Sequence, residues 1–440
     1  MNRILPLVAL LLALPAARAD DWPQWMGTDR DGVWREQGIL AKFPKGGPKE
    51  LWRVKIHGGY SGPAVAGGLV YVMDYDTKDD IRKLSTFTRP KVPLKGKERI
   101  LCLDAKTGKE VWKHEYDRPY TVSYPAGPRC TPTVSGGKVY ALGSEGDLYC
   151  LDAKSGKPLW SKDLNKEYDT KTPLWGYTGH PLVDGKNLIC LVGGKGSLLV
   201  AFDKDTGKEV WKSLDAEEPG YCPPSIITAG GKRQLLIWDP AKIHSVDPAT
   251  GKPFWSVPLK PNYAMAIMAP RKSGDYLFAG GIGPVGVALA LDGTAQPKEL
   301  WRGTLKKGVA PVNSTPLLEG DTIYGVDQPG QLRAVDLKTG KRLWETFEPV
   351  TGSGQAGSGT AFLVKNGDRH FLFGENGVLT IAKLSREGYE KIDSAKLIEP
   401  TGLAFGRDVV WTHPAFADKC VFVRNDKEIV CYSLAASSPE

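Results

Sequence analysis

Short apolar or alternating runs, separated by turns rich in Gly, Asp and Asn, follow one another along the chain after residue 50. Val-Tyr-Ala-Leu at 139–142 and Leu-Tyr-Cys-Leu at 148–151 are two of them. Runs of this length bounded by such turns are typical of β-strands joined in hairpins. Beyond the first 19 residues no stretch keeps the apolar period of a helix for long, so the pattern predicts an all-β fold.

One motif recurs among these runs. It reads Leu-Asp-Ala-Lys-Thr-Gly-Lys-Glu-Val-Trp at 103–112, and a decayed copy runs from Asp292 to Trp301. Successive Asp positions are 48, 51, 44, 45 and 44 residues apart, a period typical of propeller blades or long solenoid repeats. The clear copies share an Asp, a Gly and a Trp: Asp104, Gly108 and Trp112; Asp152, Gly156 and Trp160; Asp203, Gly207 and Trp211; Asp247, Gly251 and Trp255; Asp336, Gly340 and Trp344.

The chemistry of this motif favours a propeller. Asp can bond the backbone of its own turn, and Gly accepts the left-handed conformation that a tight hairpin requires. The Trp then lies in the following strand, where we expect it to dock one blade on the next.

A second pattern marks where each repeat begins: a small residue or Pro, an apolar run, a Gly-rich turn and another strand. Its eight copies start near Pro63, Pro132, Pro181, Pro224, Met268, Thr315, Thr360 and Thr412. The last copy lacks an outer strand, whereas Glu-Leu-Trp-Arg-Val at 50–54 has the outer-strand pattern but no strands before it. We therefore predict an eight-bladed β-propeller over residues 50–440, with four-stranded antiparallel blades and a ring closed by the N-terminal strand joining the C-terminal blade.

The N-terminal residues predict export. Arg3, an apolar run and a small-x-small site at 17–19 are typical of a secretory signal peptide over residues 1–19, so the mature chain is expected to begin at Asp20 in the periplasm or outside the cell. Residues 20–49 are expected to form an extension that straps onto the propeller. No later apolar run has the length of a membrane span. We expect a monomer.

Charge is concentrated in one insertion. Without Arg3 and Arg18, 56 basic and 50 acidic residues remain, a net charge of +6, and no basic stripe predicts nucleic-acid binding. Residues 76–99 carry eight basic and four acidic side chains between the second and third strands of the first blade. Connectivity places this insertion on the face of the channel mouth, either as a lid or docking arm for an acidic partner or as a solvated loop.

The repeats resemble the pyrroloquinoline-quinone (PQQ)-like β-propeller superfamily over about residues 50–434. Asp-Trp-Pro-Gln-Trp-Met-Gly-Thr-Asp-Arg-Asp-Gly-Val at 21–33 is similar to the opening of exported members. The superfamily includes PQQ-dependent alcohol dehydrogenases and the non-catalytic lipoprotein BamB of outer-membrane barrel assembly. The resemblance therefore implies the fold without implying one activity.

The loops that lead into the innermost strands combine aromatic side chains with a few polar ones, a composition that suits either a small-molecule pocket or a packed structural rim. We select as candidate ligand-binding residues Arg129, Trp175, His180, Tyr221, Asn313, Arg407, Trp411 and His413.

PQQ would need basic groups for its carboxylates, oxygen ligands for Ca²⁺ and a base for the alcohol. Arg129, Arg407 and Trp411 meet the first need, but Asp408 is the one carboxylate in the richest loops, and the adjacent Cys pair common in the dehydrogenases is absent. His180 and His413 start blades three apart, which favours hydrogen-bonded rim histidines over a metal pair. We therefore assign no catalytic residue, no metal ligand and no cofactor, with PQQ and calcium as the alternative.

Cysteines raise one further question. Cys102, Cys150 and Cys431 share a slot two residues before the Asp position, which indicates small buried side chains. A hairpin centred between residues 425 and 426 would place Cys420 opposite Cys431, so these two either form a cross-strand disulfide or remain free thiols.

The favoured function is therefore an exported, non-catalytic binding or scaffold propeller that presents its channel mouth to a protein or a small ligand. The alternatives are a quinoprotein alcohol dehydrogenase with PQQ and calcium, and a module that binds carbohydrate or another small ligand.

Overall fold

Eight four-stranded antiparallel sheets surround a central channel in the computed structural model, which describes residues 20–83, 87–124, 127–352 and 354–436. A two-stranded hairpin accompanies them. The predicted eight-bladed all-β propeller is confirmed. The predicted signal peptide lies outside the described residues.

The strands of the first four blades are β2 (Ala64–Ala66), β3 (Leu69–Thr77), β4 (Gly96–Asp104) and β5 (Glu110–Asp117); β6 (Thr133–Ser135), β7 (Lys138–Leu142), β8 (Asp147–Asp152) and β9 (Pro158–Asp163); β10 (Leu182–Asp184), β11 (Asn187–Leu191), β12 (Leu199–Asp203) and β13 (Glu209–Ser213); β14 (Ser225–Ala229), β15 (Lys232–Trp238), β16 (Lys242–Val246) and β17 (Pro253–Pro258). In each blade the first strand lies innermost and the fourth lies outermost.

The next three blades consist of β18 (Arg271–Ser273), β19 (Tyr276–Gly281), β20 (Val285–Ala290) and β21 (Lys298–Arg302); β22 (Leu317–Glu319), β23 (Thr322–Val326), β24 (Leu332–Asp336) and β25 (Arg342–Thr346); β26 (Ala361–Asn366), β27 (Arg369–Gly374), β28 (Val378–Leu384) and β29 (Tyr389–Lys396). The extra hairpin is β30 (Gly402–Ala404) and β31 (Arg407–Val409). The last blade combines β32 (Ala415–Ala417), β33 (Cys420–Arg424) and β34 (Glu428–Ser433) with β1 (Glu50–Lys55).

Helical structure is confined to short turns in the described residues. The α-helix α1 (Leu164–Tyr168) is capped by the Asp163 carboxylate, which accepts a hydrogen bond from Lys166 N at 3.1 Å. Single 3₁₀ turns occur at Ile81–Lys83 and Asn262–Ala264. Within the described ranges, no helix combines the length and apolar character that a membrane crossing requires.

The ring closes as predicted. Strand β1 pairs antiparallel with β34, so that Trp52 lies opposite Cys431 and Val54 opposite Ile429. The indole Nε1 of Trp52 also donates a hydrogen bond to Ala105 O in the next blade, at 2.9 Å. The closing strand therefore completes the last blade and docks it on the first.

The same contact recurs at other blade junctions, although Trp255 Nε1 donates instead to Gln234 Oε1 of its own blade at 3.1 Å. Trp112 Nε1 donates to Ala153 O at 2.9 Å, and its ring lies so close to Gly156 that an added Cβ would sit 2.5 Å from it. Gly156 has φ +70°, and the Asp152 carboxylate accepts hydrogen bonds from the backbone and hydroxyl of Ser155 at 2.8 and 2.7 Å. Each part of the motif thus has a separate role: Asp holds the turn, Gly makes room, and Trp covers it.

Blade 7 accepts the tryptophan contact from blade 6 although it lacks the Asp and the Trp of the motif. Trp344 Nε1 donates to Ser385 O at 2.8 Å, although no Asp-x-x-Thr-Gly turn stands there. Arg386 instead reaches back to the Asp336 carboxylate at 2.8 Å. An acceptor carbonyl in the β28–β29 hairpin is therefore enough to receive the indole.

Residues 20–40, here called the plug, cross the channel. Trp22 forms a β-bridge with Val65 in β2, and Asp21 accepts from the backbone of Gly67 in the β2–β3 hairpin at 3.0 Å. Further along the plug, residue 33 bridges residue 365 of blade 7, and residue 39 bridges residue 435 after blade 8. Since the β2–β3 hairpin lies at the end of the blade opposite the β3–β4 connection, the plug fills the channel from the face opposite the insertion.

The insertion between the second and third strands of blade 1 is shorter than the predicted range 76–99. Strand β3 continues to Thr77 and β4 begins at Gly96, which leaves residues 78–95, here called the strap, between them. At the base of the strap, Tyr75 stacks on Tyr120 with ring centroids 3.8 Å apart. The strap keeps a net charge of +4 from six basic and two acidic side chains.

The expected register of the last hairpin was wrong by two residues. Cys431 lies opposite Phe422, and Cys420 lies opposite Ser433, because the turn spans residues 425–428 with a hydrogen bond of 3.0 Å from Asn425 N to Glu428 O. Both cysteines are free and buried in the structure. Their thiols are diagonal neighbours, and the contact between them, together with burial, raises the pKa of Cys431. Cys420 Sγ donates to Asp418 O at 3.3 Å.

Candidate functional site at the channel mouth

The loops leading into the inner strands enclose a cavity of about 320 Å³, within the size range of small-molecule sites. Trp25 of the plug forms its floor, and Phe87 of the strap lies at its mouth. Seven of the eight residues selected from the sequence line it: Arg129, Trp175, His180, Tyr221, Asn313, Trp411 and His413.

Arg407 lies behind the wall. Its guanidinium donates from Nε to the Glu375 carboxylate at 2.8 Å and from Nη2 to Gly357 O at 2.9 Å. Glu375 also accepts from the indole Nε1 of Trp411 at 2.9 Å. Arg407 therefore positions Trp411 through the Glu375 carboxylate that both side chains contact. The guanidinium of Arg407 has no hydrogen-bond donor left to offer a ligand in the cavity on the side of these contacts.

The floor joins two histidines through one indole. Trp25 Nε1 donates to His413 Nε2 at 3.1 Å, while the Trp25 ring stacks on His180 with centroids 5.2 Å apart. Although the two histidines start blades three apart, the plug brings both against the same side chain.

Both histidines are neutral. Burial lowers the pKa of His413 to about 3. Burial, and then the positive charges of a protonated His413 and of Arg30, hold the pKa of His180 well below its usual range. Thr131 N donates to His180 Nδ1 at 2.8 Å, which leaves the proton of the neutral ring on Nε2.

Arg30 lies beneath this floor in the channel. It is 4% exposed and donates to His180 O at 3.2 Å, Pro224 O at 3.0 Å and Pro181 O. Its Nε donates to Gln24 Oε1 at 2.8 Å. Burial lowers the pKa of Arg30 to about 9, which still leaves it charged near neutral pH. Arg30 is thus a buried cation whose partners are neutral oxygens. Arg271 also fastens the plug, since it donates to Arg30 O at 2.7 Å and Asp31 O at 3.0 Å.

The wall near blade 1 contains a second arginine. Arg129 donates to Gly127 O at 2.8 Å and Tyr124 O at 2.6 Å, and its guanidinium lies 5.2 Å from the ring centre of Tyr60. Tyr60 and Tyr124 stack with centroids 5.8 Å apart. Arg129 therefore organises the aromatic wall with hydrogen bonds to backbone carbonyls.

Polar groups in the remaining wall have fixed orientations. Asn313 Nδ2 donates to Thr360 Oγ1 at 3.0 Å, and Gln328 Oε1 accepts from Gly283 N at 3.2 Å. The second bond leaves the amide NH₂ of Gln328 as the group it can offer to a ligand. The rest of the lining is mainly aromatic and aliphatic.

The strap crosses the mouth. Arg82 donates to Thr401 O and to the Asp408 carboxylate, both at 2.7 Å, on the side of blade 8. On the other side, Arg89 donates to Thr172 O at 2.6 Å, in the loop that leads into blade 3. The insertion is therefore bound to the propeller at both sides of the mouth.

Between these anchors, Phe87 contacts three aromatic rings from three different loops. Its centroid lies 5.9 Å from that of Tyr263 and 6.4 Å from those of Trp175 and Phe405. Phe87, Tyr263 and Phe405 are at least half exposed, which is unusual for large apolar rings. These four rings form an aromatic collar over the cavity.

Several collar and wall residues have strained backbones. Tyr124, Tyr263, Ser358 and Phe405 have φ of 53°, 58°, 55° and 48°. Left-handed backbone in bulky residues costs about 1–3 kcal/mol each and is maintained where the surroundings impose it, often at binding sites. At the cavity mouth, the fold therefore holds these residues in backbone conformations that they disfavour.

The donor set does not fit PQQ with calcium. The described residues that line the cavity include no Asp, Glu or Lys. The guanidinium of Arg129 already donates its hydrogen bonds to backbone carbonyls. The nearby carboxylate of Asp408 is paired with Arg82, and Glu375 with Arg407. Among the described residues no group of three His, Cys, Asp or Glu side chains is arranged to hold a metal ion. Ca²⁺ and three ligand carboxylates would thus lack partners.

Sequence reasoning missed the floor and the collar. Trp25 and Phe87 lie outside the repeats, so no blade periodicity marks them. The motif at 21–33 gave a signal for Trp25, and the insertion gave one for Phe87, but neither located the side chain in the channel. Gln328 and Phe405 come from loops whose composition carried no signal.

The fold and the site define a class of protein: an eight-bladed propeller of PQQ-like repeats with a plugged channel and an aromatic cavity at the open end. The family model described as outer membrane protein assembly factor BamB matches residues 96–279 and 239–440. Because these matches cover most of the chain, it belongs to this family.

Individual relatives are distant. BamB from Shewanella oneidensis is 26% identical over 178 residues, which is 37% of this chain and 43% of that protein, so the match spans less than half of the curated relative. The crystal structure of BamB from Moraxella catarrhalis aligns over 89% of this chain and 99% of that chain, with 14% identity and a TM-score of 0.55, and shows the fold alone. Quinohemoprotein alcohol dehydrogenase from Comamonas testosteroni aligns over 96% of this chain and 82% of that chain with 15% identity and a TM-score of 0.48.

Proposed function

We propose that this chain is an exported, non-catalytic binding propeller whose channel-mouth cavity receives an apolar group of a small ligand or a protein. The observation that carries the proposal is the cavity itself: about 320 Å³, floored by Trp25 and covered by Phe87. Enclosed apolar volume with a few oriented polar groups is the usual form of a ligand site. The strained collar supports the same interpretation.

A reaction is not favoured by the groups present. Both cavity histidines are held neutral by burial, and no carboxylate lines the cavity among the described residues. A general base poised near neutral pH and a set of metal ligands are therefore missing from the lining. The family description adds outer-membrane protein assembly as the setting in which a partner would be sought.

Filling the cavity tests the proposal. We expect the neutral probe naphthylmethanol to bind the wild-type protein in calorimetric titration. Val312→Phe adds volume to a buried wall residue and should weaken binding at least about tenfold. Val210→Phe, on the exposed outer strand β13, is the matched control and should bind as wild type.

Equal binding by both variants, or no binding of the probe to the wild type, would reject the cavity as the site. PQQ with calcium is the comparison ligand: stoichiometric binding and dye reduction with an alcohol would establish the quinoprotein alternative. Preferential binding of sugars over naphthylmethanol would establish the carbohydrate alternative. Export is tested separately, since a mature N-terminus other than Asp20 would contradict the assigned signal peptide.

A further inference from the structure

We infer that the channel-mouth cavity selects a small aromatic or aliphatic molecule with one negative charge and excludes cations. This inference rests on the proposed function and assigns the ligand class of the same site. It differs from a tricarboxylate bound with calcium, for which the free guanidinium forks and the metal ligands are not present in the lining.

The first observation is a buried positive charge under the floor. Arg30 is held by carbonyl and amide oxygens, and in the described part of the chain no carboxylate pairs with it. A buried charge without a counter-ion is costly, and its field is screened less than that of a surface group. Arg30 donates to the backbone carbonyl of His180, whose ring lines the cavity and stacks on Trp25, so a ligand above these rings lies within this field.

The second observation is the charge of the wall and the strap. Arg129 lines the cavity and forms no ion pair among the described side chains. On the strap, Arg82 is paired with Asp408, whereas Arg89 donates to Thr172 O and forms no ion pair among the described side chains. Positive groups thus lie below, beside and above the cavity, and potentials of this kind concentrate anions in a cleft.

The third observation concerns the hydrogen-bonding groups offered to a ligand. Thr131 fixes His180 with its proton on Nε2, and Gly283 fixes Gln328 with its NH₂ outward. Both side chains are cavity residues, and both therefore present donors. Donors suit a carboxylate or another anionic oxygen and cannot accept from an ammonium group.

The nearest carboxylates do not reverse this balance. Glu98 is fully buried behind the wall, where Tyr116, Tyr120 and Ser144 N donate to it, and burial raises its pKa. Glu375 is occupied by Arg407 and Trp411. Asp426, close to Tyr60 and Tyr124, lies partly buried near Arg424 and accepts from Gly59 N at 3.2 Å. None of these carboxylates lines the cavity.

Three probes with the same aromatic body and different head groups test the inference: naphthoate, naphthylmethanol and naphthylmethylammonium. At neutral pH and low salt we expect naphthoate to bind about tenfold more tightly than the alcohol and the ammonium to bind about tenfold more weakly. The order naphthoate, alcohol, ammonium is the result that supports a positive cavity.

Variants of Arg30 test whether its positive charge causes this order of probe affinities. Arg30→Met removes the buried charge, and Arg30→Lys keeps it; the Met variant should lose most of the preference for naphthoate over the alcohol, while the Lys variant retains it. If Arg30→Met does not fold, the pair Arg129→Met and Arg129→Lys provides the same comparison from the wall.

The outcomes are distinct. No binding of any probe would reject the proposed function together with this inference. Binding of all three probes with equal affinity, or tighter binding of the ammonium, would overturn the inference and leave the cavity as an uncharged apolar site. A preference for naphthoate that survives unchanged in both Met variants would also overturn it, because the charge would then play no part.

Discussion

At the scale of single residues, the blades depend on a tryptophan ring covering a glycine turn. The ring of Trp112 occupies the space that a side chain at residue 156 would need. Equivalent contacts join Trp52 with Gly108 and Trp160 with Gly207, where an added Cβ would lie 2.8 Å from the ring in both cases. The motif is therefore selected by a contact between blades as well as by turn conformation.

Gly156→Ala is expected to destabilise the protein by about 2–4 kcal/mol, from left-handed strain plus displacement of the Trp112 ring. Gly136→Ala is the matched control, because Gly136 has φ +58° but its added Cβ would meet no atom within 4 Å. It should cost about 1 kcal/mol. Urea unfolding midpoints measure both changes, and equal losses would show that backbone strain alone explains the glycine.

The cavity histidines predict how stability depends on pH. Their folded pKa values lie below the ordinary value, so the unfolded chain binds more protons as the pH falls below about 6.5. Stability contributed by each neutral histidine is therefore present above that pH and is lost as the pH falls toward the folded pKa. The loss is about 1.4 kcal/mol per pH unit for each histidine.

His413→Gln keeps an acceptor for Trp25 Nε1 and removes the proton-binding group. Between about pH 6.5 and 5, its free energy of unfolding should fall less steeply than that of wild type, by about one proton equivalent. His57→Gln, at a solvent-exposed histidine, is the control for loss of a ring. Parallel pH profiles for His413→Gln and wild type would contradict the neutral buried state.

At the scale of elements, the plug and the strap are aperiodic segments that close a periodic ring from its two ends. The plug contacts blade 1, the middle blades and blade 7, so that it ties distant parts of the ring together. The strap reaches the sides of the mouth through Arg82 and Arg89 and places Phe87 between them. The site consequently consists of loop residues held by two segments that belong to no repeat pattern.

Phe87→Ala is expected to open the collar and accelerate release of a bound probe several-fold, because one of the four rings over the cavity is lost. Val92→Ala, on the same strap but 73% exposed, should leave release unchanged. Stopped-flow dissociation of naphthylmethanol measures both rates. Unchanged release from Phe87→Ala would show that the collar does not cover the ligand.

At the scale of the whole molecule, one strand determines whether the ring is closed. Without β1, the edge of β34 would be unpaired, and the contact from Trp52 to Ala105 between the last and first blades would be lost. Unpaired edges associate with other chains.

Val54→Pro is expected to weaken closure, because proline removes a backbone donor from the β1–β34 ladder and clashes with the strand. We expect a loss of about 3 kcal/mol or more and self-association at high concentration. Leu305→Pro is the control, because Leu305 is 79% exposed and occupies the second position of a turn closed by Lys307 N and Thr304 O, where proline is tolerated. Size-exclusion chromatography and thermal unfolding report the difference, and a monomer of unchanged stability would argue against closure by β1.

The sequence by itself determined the strands, the repeat, the eight blades and the closing strand. These follow from local patterns, since an apolar alternation, a turn and a docking Trp each act within about 50 residues and recur along the chain. The loops around the mouth could also be selected, because connectivity alone sends them to one face.

Only the tertiary structure decided what fills and covers the channel. The plug joins Trp25 to His180 and His413 across more than 150 residues of sequence, and no local rule encodes such a contact. The pairing of Cys431 with Phe422 likewise depended on the length of one turn, because adding residues to a hairpin turn shifts every pair beyond it. The plug and the strap follow no repeat, so their positions depend on packing against the assembled blades. The sequence pattern predicts the blades but does not predict which segments fill and cover the channel.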